Sequence, residues 1–282
     1  MNRTLVRVFI AAPQMKKGSS LSEVGGEAQF ENIVHVSMDL IKSDAFKRIF
    51  SLDASFRKII ARLTLPSSLG KGIFVVPDVN VANVKNAYEK YSQEREANVE
   101  EYINVAYDSD IEKAKVTHGV LFNPSDYPTK SELFASFRTN IRYLSIGEPS
   151  DLKDIDINLF NQELSKATEA AKQEAEAWRA LLCEEILDIT NYLISRFTSS
   201  DGMEKKKLRN DMIPKVLESL VYIRRKNITN NPSVDKSIKE LEGKLSNVDI
   251  KNPGSDITEF FSGIRSSIID SMSTGHRRMI NR

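Results

Sequence analysis

Residues 72–103, GIFVVPDVNVANVKNAYEKYSQEREANVEEYI, join a short apolar run to a long amphipathic one across Pro77. The run Ile73 to Val76 is β-branched and aromatic, and it ends at a proline that cannot donate to a sheet ladder, so it reads as a strand. Beyond it, Asp78 or Asn80 is placed to cap a helix, because either side chain can accept from the orphan amides of a first turn. Val81, Val84, Tyr88, Tyr91, Val99 and Tyr102 then keep three-and-four spacing, with Arg95 interrupting the apolar stripe. About 28 residues at 1.5 Å each make a helix of about 40 Å, longer than a small core requires.

A second long helix is expected over Ile157–Phe197. Its apolar series runs Phe160, Leu164, Ala167, Ala171, Ala175, Trp178, Leu182, Ile186, Ile189, Leu193 and Phe197, in steps that repeat every eleven residues. That period is close to the natural helical one, so the stripe stays on one face with little supercoiling. About 40 residues span about 60 Å. Ala167, Ala171 and Ala175 favour close approach by a partner, and the tyrosines of the first helix offer bulk, so the two helices are expected to pair as an antiparallel arm.

Residues 4–12, TLVRVFIAA, read as another strand, followed by a polar, glycine-bearing mobile loop around Lys16, Lys17 and Gly18. The span 38–65 has helical spacing, as one broken helix or two short ones. Thr129 is placed to cap a short helix, and TNIRYLSI, residues 139–146, reads as a third strand closing a small sheet. After TSSDGMEKKK, a linker or helix end, three shorter helices are expected at 214–226, 232–245 and 257–272, two of them with a proline in the first turn. The fold class is therefore α+β and predominantly α-helical, with a long antiparallel helical arm, a small mainly antiparallel sheet and a C-terminal helical bundle. The domain reading is a sheet-bearing head with the first arm helix over 1–150, the second arm helix over 151–200, and a helical region over 201–282.

The chain has 282 residues, and 40 Lys and Arg against 39 Asp and Glu leave a net charge of +1, so no global field draws it onto nucleic acid or membrane. The single cysteine, Cys183, lies at an apolar helical position and fits a reducing compartment and core packing. No apolar run approaches the ~18 residues of a membrane span, and the N-terminal run is too short for a secretory core, so a cytoplasmic location is expected.

Catalytic and cofactor motifs do not emerge. Gly70, Lys71 and Gly72 precede a strand, whereas a phosphate-binding loop follows one and opens a helix. His35, His118 and His276 stand apart from any partner at zinc-ligand spacing. Asp154, Asp156 and Asn158 imitate half a calcium loop, but Leu159 occupies its glycine position, so helix capping is the simpler reading. No enzyme activity, cofactor or metal is expected. Local basic clusters remain: Lys16 and Lys17, Lys205 to Lys207, Arg224, Arg225 and Lys226, and HRRMINR with Arg277, Arg278 and Arg282. Such clusters can neutralise phosphates, although helix C-termini attract cations through the dipole and no aromatics are interleaved with these.

Three segments, GIFVVPDVNVANVKNAYEKY, YPTKSELFASFRTNIRYLSI and KVLESLVYIRRKNITNNPSVDKSIKELEGKL, together resemble a bacterial and phage family known as domain of unknown function 3150. The likeness spans residues 40–272 and includes an apolar helix followed by Asn-x-x-x-x-Pro and another helix. Members are often encoded beside MoxR-type AAA+ ATPases and von Willebrand factor A proteins, and in some phages and conjugative elements near single-strand annealing genes. The resemblance implies an accessory role and assigns no site residues. The leading expectation is a non-enzymatic interaction protein that docks an AAA+ ATPase-type partner or self-associates. Its rival is a single-stranded nucleic-acid binder using Lys16, Lys17, Arg224, Arg225, Lys226, Arg277 and Arg278. A phage structural or assembly component is the third reading.

Overall fold

A computed structural model describes residues 3–20, 35–146, 150–198, 209, 211–248, 254 and 256–280, with residues 3, 18–20, 35–37, 146, 150–152 and 273–280 described by backbone alone. The strands are β1 (Arg3–Ala11), β2 (Lys16–Ser20), β3 (His35–Asp39), β4 (Leu65–Pro66), β5 (Ile73–Val75) and β6 (Arg138–Ile146). The helices are α1 (Asp44–Leu63), α2 (Val81–Glu101), α3 (Tyr107–His118), α4 (Lys130–Ser136), α5 (Ser150–Ile155), α6 (Ile157–Phe197), α7 (Met212–Lys226), α8 (Pro232–Leu245) and α9 (Ile257–Ile280). The protein is predominantly helical α+β with a small antiparallel sheet of four strands in the order β4-β5-β1-β6. The three expected strands are all present, and β4 is an addition: it pairs with β5 through Leu65↔Val75 and Pro66↔Phe74.

The chain forms two compact units, one from 1–5, 61–81 and 144–282, the other from 6–60 and 82–143. In the first, the second half of α6 supplies Trp178, Leu182, Ile186 and Leu193 to a core shared with Leu220 of α7, Leu241 of α8 and Phe261 of α9. Each such side chain contributes about 1.5–3 kcal/mol on leaving water. Trp178 also donates from Nε1 to the Pro66 carbonyl at 2.7 Å, which ties α6 to β4. Arg179 donates to the Ser271 carbonyl and the Phe197 ring meets Phe261, so α6 and α9 run antiparallel. The antiparallel partner of α6 is thus α9, where the sequence pointed to α2, which belongs to the other unit. α9, α7 and α8 together cover the α6 stripe from Trp178 to Phe197, and the shared period of two stripes carries no information about which of several apolar faces will meet.

The capping expectations divide. Asp156 accepts from the amides of Asn158 and Leu159 and starts α6, as its acidic position at a helix N-terminus favours. Asn80 instead is buried and donates Nδ2 to the Leu63 carbonyl, so its side chain ties the end of α1 to the 3-10 turn that leads into α2. Between α7 and α8 the Asn-x-x-x-x-Pro segment has a physical role. Asn227 exchanges hydrogen bonds with the Asn231 backbone and donates to Asp235, Asn231 caps α8, and Pro232 fills the first helical turn where no amide is needed.

In the second unit α1 is one unbroken helix, and the polar segment after β1 is in part β2, paired with β3 from Lys16↔Asp39 to Ser20↔His35. The loop expectation relied on local polarity, which strand pairing overrides. The first long helix continues through a π-helical turn at Tyr102–Ala106 into α3, which ends at Gly119 with φ 52°. Phe46, Ile49, Tyr102, Tyr107 and Leu133 form its core. Tyr107 donates to the Pro128 carbonyl, and the Thr129–Glu132 capping box starts α4.

Candidate functional site

The second unit holds a surface whose chemistry follows from strand periodicity. Successive side chains of a strand alternate between faces, so Arg7 and Phe9 of β1 share one face, as do Arg138, Asn140 and Arg142 of β6. β1 and β6 are neighbours in the sheet, and Arg7, Phe9, Asn140 and Arg142 line one shallow hollow of about 220 Å³. All are exposed. Arg138 and Arg142, four residues apart, stand about 13 Å from one another along the strand. Arg7, Arg138 and Arg142 are exposed and make no ion pair among the described residues. Phe9 is 47% exposed and has no ring neighbour among the described residues.

Phe9 and Asn140 also line a larger cleft of about 570 Å³, with Tyr88, Arg95, Phe137 and Arg138 among its walls. Its wall is held from beneath. Arg95 donates to both Asp53 oxygens and to the Ala11 carbonyl, and its guanidinium lies 5.5 Å from the Phe137 ring centroid. Tyr91 donates to Asp53 at 2.7 Å and stacks on Phe56 at 4.0 Å. Burial, then the hydrogen bond to Asp53, raises the Tyr91 phenol above its ordinary range. Glu96 is an acidic group that lines the same cleft as Arg95 and Arg138. The surface therefore offers guanidinium groups, one amide and aromatic faces, which is the chemistry of binding anions and flat rings. Among the described residues no group of three or more His, Cys, Asp or Glu could hold a metal ion, and no helix is long and apolar enough to cross a membrane.

The basic residues singled out from the sequence lie elsewhere. Lys16 is on β2 with Asp39 at 3.6 Å, and Lys17 bonds Asp126 at 2.8 Å. Arg224 is paired with Glu242, and Lys226 is 2% exposed and paired with Glu185, so it is shut off from any ligand in solution. Arg225 is exposed, 5.9 Å from the Tyr222 ring. Arg277 and Arg278 belong to the last turns of α9, their side chains lying outside the described residues, as do Lys205 to Lys207 altogether. The strip on β1 and β6 was missed because its residues are not adjacent in sequence. The legible signal was Arg-x-Phe in one strand and Arg-x-Asn-x-Arg in another, both at period two.

No protein-family model, curated protein or solved structure matches the chain.

Proposed function

We propose that the protein is a non-enzymatic accessory factor that binds single-stranded nucleic acid on the β1–β6 face. The observation that carries this reading is the exposed set Arg7, Arg138 and Arg142, none of them in an ion pair among the described residues, with Phe9 among them. Cations on this scale neutralise phosphates and release counterions, and an exposed ring on a sheet accepts a base whose faces are free, as a duplex does not permit. Binding of a fluorescent oligothymidylate measured across salt concentrations tests it. Two to three phosphate contacts give a log–log slope of about −1.4 to −2. Absence of binding at low salt, or a slope near zero, would end the reading.

A second reading is favoured by Ile155, Ile157 and Leu159, which are 78%, 49% and 40% exposed around the start of α6. It is an interaction protein that docks an AAA+ ATPase-type partner or a second copy through this helix. Light scattering of the purified chain, alone and with the candidate ATPase, decides it; a strict monomer with no complex would count against it.

A further inference from the structure

We infer, building on the nucleic-acid reading above, that the cleft beside the strip is a pocket for one nucleotide of the bound strand, its base against the Phe9 and Tyr88 rings and its phosphate at Arg138. At about 570 Å³ the cleft lies within the ~300–1,000 Å³ of small-ligand sites, ample for a base with its sugar. Its occupant has to combine a flat ring with an adjacent anion. Phe9, Tyr88 and Phe137 supply ring surface, and Arg138 at the cleft is exposed and in no ion pair among the described residues. Arg95 is not the anchor: its charge is already matched by Asp53, and its part is to hold the wall in place before any ligand arrives. Such preorganisation removes an ordering cost from binding. Phe9 and Asn140 line both the cleft and the neighbouring hollow with Arg7 and Arg142, so a strand tracking along β6 passes the pocket mouth without a break. The Asn140 amide, with donors and an acceptor, is placed to meet a base edge.

The test uses Phe9→Trp in the full chain. The native tryptophan, Trp178, is 1% exposed, so the introduced indole is the one a ligand can reach. An oligothymidylate is titrated against an abasic phosphodiester strand of the same length, at low and at physiological salt. The expected result is quenching by thymidylate and none by the abasic strand, which binds about ten-fold more weakly because stacking is lost. Tyr88→Leu, checked by circular dichroism, then weakens thymidylate binding several-fold and leaves the abasic strand unaffected. If both strands bind alike, with an ordinary salt slope and no quenching, the pocket is refuted while phosphate binding stands. If neither strand binds at low salt, the pocket and the nucleic-acid reading fall together.

Discussion

Arg95 Nε donates to Asp53 Oδ1 at 2.8 Å, and the two side chains are 3% and 2% exposed. This pair joins α2 to α1 and explains why a charge interrupts the apolar stripe of α2. Asp53→Ala leaves a buried guanidinium without its counter-charge and is expected to destabilise the fold by about 3–5 kcal/mol in urea denaturation. Replacing both residues with apolar ones of similar volume should recover most of that loss, since the pair itself carries a desolvation cost.

Tyr102, at the π-helical turn, is 1% exposed, and its hydroxyl has no hydrogen-bond partner among the described residues. An unsatisfied buried hydroxyl costs about 1–3 kcal/mol, so Tyr102→Phe should raise stability by about 1 kcal/mol with the core shape kept. A lower unfolding midpoint for this variant would show that the hydroxyl is satisfied in solution.

Alkaline pH should weaken the protein through its buried phenols. Burial raises Tyr91, Tyr102 and Tyr107, with Tyr107 pushed up to about 12. Unfolded phenols ionise near ~10, so above that value the unfolded chain releases protons that the folded chain retains. Stability is full below about pH 10 and falls progressively as pH rises toward the folded values. Urea midpoints at neutral and alkaline pH check this, and Tyr107→Phe should flatten the decline.

Cys183 is buried, and burial pushes its thiol above the usual range. Its reaction with a thiol reagent at mildly alkaline pH should be slow in the folded protein and fast once denatured, because the thiolate is the reactive form. Rapid native labelling would mean that the core around α6 opens readily.

On the candidate interface, Arg142→Gln should lower the magnitude of the salt slope by about 0.7 for a single strand while leaving stability within about 0.5 kcal/mol. The same change at Lys226 should do the reverse. It leaves Glu185 without its partner and costs stability, and it does not touch the salt slope.

Local chemistry in the sequence determined most elements of this protein. The α6 boundaries, the Asp156 and Thr129 caps, the start of α8 at Pro232 and the strands around Val6, Phe74 and Ile141 follow from apolar period, capping residues and proline, each a property of a few neighbouring residues. Tertiary structure decided what those elements touch. It gave α6 to α9, turned Asn80 inward to Leu63, made a strand of Lys16–Ser20 and buried Lys226 against Glu185. It also brought Arg7 and Phe9 beside Asn140 and Arg142, more than a hundred residues along the chain. A basic cluster in sequence is a cluster on the surface only if folding leaves it unpaired. Pairing and exposure are set by distant residues, which no local pattern records.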